Sequence, residues 1–330
     1  MKSILPRLKP FLRWVILGGT LFFLATALKH HWQDVLAIRI TPSGWMYLAI
    51  ALGVTLLAHI WTGWVWGWIL QDLAQVTSGR WSVVVYLKTN IAKYLPGNVW
   101  HFYGRVWMAN QSGIPWAIAA ISVVLEPLLM AASALEIALI SYPQGNGLLQ
   151  AGCLGLLLLS LNPRFLNPLL GLAQRLKGKP KPPPQAQLPT FDPTLEKSQE
   201  PQEQSSTIRL TRYPLRPLLG ELGFLMLRSA GFLLTVLALQ PLELGQIPIL
   251  VSAFSIAWLL GLIVPGAPGG LGVFEATAIA LLSPVSSTIP PGTVLSAVAL
   301  YRLISILAEA SGAGLAYLDR GTEIPSVLKS

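Results

Sequence analysis

An all-α, polytopic membrane bundle is the fold class this sequence predicts, on three observations. The chain of 330 residues is 53% hydrophobic and only 11% charged, where soluble domains carry about 25% charged residues. Its apolar residues gather in runs close to the roughly 20 residues that carry a helix across a bilayer. Two of those runs are interrupted by Pro-Gly sequences. In lipid such breaks persist only where protein or a wet cavity satisfies the freed peptide groups.

Six runs read as full spans: 11–28, 44–70, 117–141, 147–162, 217–240 and 293–318. The first follows Lys2, Arg7, Lys9 and Arg13 and ends in Ala25-Thr26-Ala27, which also has the form of a signal-peptide cleavage site. Regions 81–110 and 248–284 hold the interruptions, and each is long enough for two half-helices joined at mid-depth as a re-entrant hairpin. The alternative makes 248–264 and 270–284 short full spans, for about eight spans in all. Between 178 and 207 the chain is rich in Pro, Gln, Lys and Glu, with Pro182-Pro183-Pro184 among them. That is the composition of a disordered linker. It separates a first membrane half, 1–177, from a second, 208–320, with a tail at 321–330.

Charge sets the orientation. Sixteen of the 23 Lys and Arg fall in segments that this topology places in the cytoplasm, and only Lys29 and Arg39 fall outside. The termini and the linker are then cytoplasmic, in the inner (plasma) membrane of the cell. The two halves become inverted repeats, a plan in which broken helices meet near the bilayer midplane around a transport site. The net charge of +9 is absorbed by this sidedness, with no nucleic-acid partner required.

Ionisable side chains at bilayer depth are costly and by default mark a functional pathway. Lys88, Lys93, His101 and Arg105 surround the first break, and Glu275 follows the second. Pro96, Gly97 and Asn98 at the first break, and Pro265, Gly266, Pro268, Gly269, Gly270 and Gly272 at the second, would aim free N–H groups and helix N-termini at one point. Lys93, His101 and Arg105 complete a cradle for an anionic headgroup, while Lys88 reads as a side chain snorkelling to the interface, a reading equally open to Arg105. Glu275 has two readings, an ion pair with Arg105, Arg228 or Arg302, or a proton-linked switch. Glu126, Arg228, Arg302 and Glu309 are candidates for coupling or charge pairing; Arg302 and Glu309, seven residues apart, share a helix face.

Other residues carry bland expectations. The twelve tryptophans, with Trp61, Trp64 and Trp68 on one stripe, read as an interfacial belt. Cys153, the single cysteine, reads as a small packing residue, and Gly312 and Gly314 as helix contacts. The four histidines are scattered without metal-ligand spacing. Neither G-x-x-x-x-G-K-[ST] nor H-E-x-x-H occurs. No catalytic residue, metal or cofactor is expected.

The run Lys93-Tyr94-Leu95-Pro96-Gly97-Asn98-Val99-Trp100-His101-Phe102, with Gly104-Arg105, resembles the first signature of the lysylphosphatidylglycerol synthase transmembrane-region family. Val264-Pro265-Gly266-Ala267-Pro268-Gly269-Gly270-Leu271-Gly272-Val273-Phe274-Glu275 resembles its second, more specific signature. The resemblance implies a flippase-like domain over nearly the whole chain apart from the linker. In that family the domain is sometimes fused to a soluble aminoacyl-transferase domain. The dozen or so residues after the last span are too few for one, so the resemblance implies translocation and not lysyl transfer. The leading expectation is a translocase moving an anionic phospholipid or lipid-linked intermediate between leaflets, alone, as a homo-oligomer or beside a separate lipid-modifying enzyme. The rivals are a membrane-embedded headgroup transferase, with Glu275 or His101 as base, and a non-transporting partner subunit.

Overall fold

Thr41 accepts the Gly44 N–H at 3.1 Å and Pro42 occupies the first helical position, a start in which cap and preset φ agree. Helix α1, Pro42–Asp72, follows. Ser78 caps α2, Gly79–Asn90, in the same way through the Trp81 N–H at 3.2 Å. The chain then tightens into a 3₁₀ turn, Ile91–Tyr94, just before the first Pro-Gly pair, and resumes as α3, Trp100–Gln111. Helix α4, Trp116–Ser141, runs through Pro127 without ending, and Asn146 caps α5, Gly147–Ser160. A short helical segment covers 163–168.

The second half is built from α6, Leu215–Leu237; α7, Ile247–Ile263, entered through a 3₁₀ turn at Leu244–Gln246; α8, Val273–Leu282; and α9, Pro291–Leu318. The computed structural model describes residues 29, 39–95, 99–142, 145–168, 210, 212–264, 270, 272–282 and 289–319. The span expected at 11–28, the linker at 178–207, the tail at 321–330, and the break residues Pro96, Gly97, Asn98, Pro265, Gly266, Pro268 and Gly269 lie outside these.

Among the described residues five helices are long and apolar enough to cross a membrane: Pro42–Asp72, Trp116–Ser141, Leu215–Leu237, Leu244–Ile263 and Pro291–Leu318. No strand occurs among the described residues. The chain is a membrane-embedded helical bundle. Two lengths differ from expectation. The run 147–162 yields a helix of only 14 residues, none of them buried, which reaches about 21 Å of the roughly 30 Å hydrocarbon layer. The second interrupted region is also uneven. Leu244–Ile263 extends 20 residues while Val273–Leu282 has 10. The first region does divide into two 12-residue helices.

Helix α1 runs along α6, α7 packs on α4 and folds back against α8, and α9 touches α1, α2, α6 and α8. An aromatic cluster pins the second half. Phe232 of α6 stacks on Phe254 of α7 at 5.3 Å, and Tyr301 of α9 meets both edge-on at 5.6 and 5.5 Å. Phe274 of α8 adds a fourth ring, 5.7 Å from Phe254. In the first half Trp66 is fully buried, stacks on Trp81 at 5.6 Å and donates its indole N–H to Ser122 at 3.2 Å. Trp61 donates to the Gly220 carbonyl at 2.7 Å. These tryptophans are packing residues rather than parts of a belt, whereas Trp64 remains exposed. Cys153 is exposed on α5 and packs nothing. A Cβ on Gly312 would stand 3.0 Å from Leu87, as a close helix contact requires, but Gly314 faces open space.

Candidate functional site

The two interrupted segments converge. Lys93 sits in the 3₁₀ turn before the first break, and His101 and Phe102 open α3 just after it. Gly270 and Phe274 flank the start of α8. Together with Arg228 of α6, Trp258 and Gly261 of α7, and Tyr301, Arg302, Ser305 and Glu309 of α9, they line a cavity of about 130 Å³. The arrangement needs Gly270: its φ is +71°, and a Cβ there would lie 2.7 Å from the Gly261 carbonyl oxygen. Only glycine adopts that backbone without strain at so close an approach.

The charges in the wall form two linked sets. The Lys93 ammonium lies 2.6 Å from Glu309 Oε1, and His59 Nε2 lies 3.2 Å from the same oxygen. Arg228 Nη1 is 3.3 Å from that His59 nitrogen. One Nε2 cannot accept from Arg228 and donate to Glu309 at once, so the tautomer and charge of His59 select which neighbour it serves. The Arg228 guanidinium also lies 5.3 Å from the Tyr301 ring centroid, while the Tyr301 hydroxyl donates to the Arg228 carbonyl at 3.0 Å.

The second set joins Arg302 Nε to Glu275 Oε1 at 3.3 Å, and the other Glu275 oxygen accepts the Gly272 N–H at 2.6 Å. Gly272 has φ +87°. Glu275 thus caps its own helix start, so its carboxylate already fills the N-terminal position at Gly272 where the sequence suggested a ligand anion. Of its three candidate partners the structure selects Arg302.

Arg105 is elsewhere. It is 2% exposed, ion-paired with Glu126, and held 4.3 Å from the Tyr86 ring centroid. It does not line the cavity: one turn further along α3 than His101, it meets Glu126 of α4 instead. Glu126 therefore performs the pairing role expected of it, and Arg228, Arg302 and Glu309 are brought together at the cavity. Lys88 lies half-buried with its ammonium 5.6 Å from the Tyr317 ring.

Sequence reasoning missed His59, Trp258, Phe274 and Tyr301. His59 and Trp258 are single residues on apolar helices, whereas Phe274 and Tyr301 adjoin the candidates Glu275 and Arg302 without having been singled out. Among the described residues no group of three or more His, Cys, Asp or Glu is placed to hold a metal ion. Three cations facing two carboxylates, roofed by aromatic rings, suit the reversible binding of one negative charge carried on an apolar body. No family model matches the chain, and no curated protein matches it.

Proposed function

We propose that this chain is an integral membrane lipid translocase of flippase type, moving an anionic phospholipid or lipid-linked intermediate between leaflets. The observation that carries the reading is the cavity where both interrupted segments meet. Lys93, Arg228, Arg302 and Glu309 enter its wall, with Glu275 paired to Arg302, while Phe102, Trp258, Phe274 and Tyr301 supply apolar surface for acyl or prenyl chains. An arginine fork suits a phosphodiester, and ion pairs already present in the wall let the anion be exchanged rather than trapped. The resemblance of both break signatures to the lysylphosphatidylglycerol synthase transmembrane-region family points the same way. The site of action is the inner (plasma) membrane with both termini cytoplasmic, a placement that follows the distribution of Lys and Arg.

Reconstitution tests this directly. Purified protein in vesicles carrying labelled phosphatidylglycerol in both leaflets is expected to expose the inner-leaflet label to a membrane-impermeant quencher, with labelled phosphatidylcholine responding far less. Folded protein that accelerates neither would overturn the proposal. Acceleration of both alike would remove the anionic selectivity.

A further inference from the structure

A second polar cluster lies away from the cavity wall, enclosed by α1, α2, α3, α4 and α6. Arg105, Glu126 and Glu221 are 2%, 1% and 0% exposed, and Thr62 beside them is fully buried. Glu126 holds the Arg105 guanidinium. Among the described residues the one hydrogen-bonding partner of Glu221 is the Thr62 hydroxyl, 3.4 Å from each of its oxygens. The Tyr86 ring packs in the same cluster, its centroid 4.3 Å from the Arg105 guanidinium. Arg105 Nε, deep in the same cluster, has no hydrogen-bond partner.

Charge balance decides the state of this cluster. Two carboxylates against one guanidinium would leave a net negative charge in a site closed to water. An ionised carboxylate there needs strong donors at about 2.5–2.9 Å, and a charge left without them costs several kcal/mol. Glu126 has such a donor in Arg105. Glu221 has none; it faces Thr62 from α1, with Tyr86 of α2 behind it, and Arg105 of α3 and Glu126 of α4 as the nearest charges. A proton on Glu221 removes the excess charge, and the protonated carboxyl and the Thr62 hydroxyl can then serve each other as donor and acceptor.

We infer that Glu126 and Glu221 form a proton-binding site around Arg105, with one shared proton resident on Glu221. Release of that proton leaves two buried carboxylates and the single guanidinium of Arg105 in one cluster, and so loosens the hold of Glu126 on Arg105. On the translocase reading proposed above, this is where the transport cycle takes up its coupling ion. Helix α6 carries Glu221 and the cavity residue Arg228 seven residues apart on one face, and α3 carries Arg105 and the cavity residue His101 one turn apart. A change in the hold of Glu126 on Arg105 therefore moves helices that form the cavity wall.

Infrared difference spectroscopy on the reconstituted full chain tests the site without transport. At neutral pH the carbonyl stretch of a protonated carboxylic acid is expected, shifting in D2O, lost in Glu221→Gln and kept in Glu275→Gln and Glu309→Gln. A wild-type spectrum without that band, or one unchanged in Glu221→Gln, overturns the inference. Should Glu221→Gln fail to fold, Thr62→Val keeps the acid and removes its hydrogen-bond partner; the band must then move in frequency, and an unmoved band overturns the assignment. For the coupling, exchange of labelled phosphatidylglycerol is followed with and without an imposed pH gradient. A several-fold response in the wild type that is lost in Glu221→Gln supports it, and gradient-independent wild-type exchange refutes the coupling alone. No exchange of any lipid refutes the translocase reading and leaves the proton site to the infrared result.

Discussion

Replacing Arg105 by methionine isolates the energetics of the buried charges. The side chain is 2% exposed and its partner Glu126 1% exposed, so truncation strands a carboxylate without water or counter-charge. Breaking a buried pair from one side costs about 3–5 kcal/mol, and the guanidinium 4.3 Å from the Tyr86 ring centroid contributes up to about 2 kcal/mol more. Uptake of a proton by Glu126 relieves part of this, so a net loss near 3–5 kcal/mol is expected. For a chain of this size that lowers the melting temperature by roughly 4–7 °C. Tryptophan fluorescence of detergent-solubilised protein, heated at one fixed rate, reads the shift; the fixed rate matters because such unfolding is commonly irreversible. The double variant Arg105→Met with Glu126→Gln removes both charges and is expected to recover more than half of the loss. Glu126→Gln alone is expected to cost less than Arg105→Met, since Glu221 can ionise to serve the arginine. Equal melting temperatures for Arg105→Met and wild type, or strictly additive losses in the double variant, would refute the reasoning.

Three further outcomes are expected. Gly270→Ala places a Cβ 2.7 Å from the Gly261 oxygen at φ +71°; it costs at least about 1–2 kcal/mol for the backbone alone, visible as a lower melting temperature together with slower lipid exchange. Arg228→Met removes a cation from the cavity wall and is expected to weaken phosphatidylglycerol binding about tenfold, near 1.4 kcal/mol, with phosphatidylcholine unaffected, as measured by native mass spectrometry of lipid adducts. Cys153 is the only cysteine and is exposed, so a lipid-soluble thiol reagent is expected to label native protein in the membrane at a stoichiometry of one; labelling only after denaturation would contradict its position on α5.

The bundle and the meeting of its breaks were legible because both depend on local composition. Clustered proline and glycine interrupt these apolar runs where the lone Pro127 does not end its helix, and Arg302 and Glu309 share a face through periodicity alone. The partners of the charges were not legible. Glu126 lies 21 residues from Arg105 and Glu309 lies 216 from Lys93, separations bridged only by tertiary packing. For that reason Arg105 appeared from the sequence to serve the same site as His101, when the packing of α3 on α4 turns it away. His59 gave no signal, because a lone histidine on an apolar helix looks the same whether it fills space or mediates between Arg228 and Glu309. Trp66 misled for the opposite reason: a tryptophan near a helix end is common at interfaces, and only its stack on Trp81 shows it to be interior.

The contact between Gly261 and Gly270 is not reciprocal. A methyl group on residue 270 would strike backbone, but one on residue 261 would meet Phe274 at 3.5 Å and the Gly270 oxygen at 3.9 Å, ordinary van der Waals distances. Alanine at 261 would therefore fit and stiffen α7 by about 0.5–1 kcal/mol. Position 261 also borders the 130 Å³ cavity, so the added carbon would occupy space otherwise open to cargo. A sturdier molecule with a narrower appetite is the exchange this position offers.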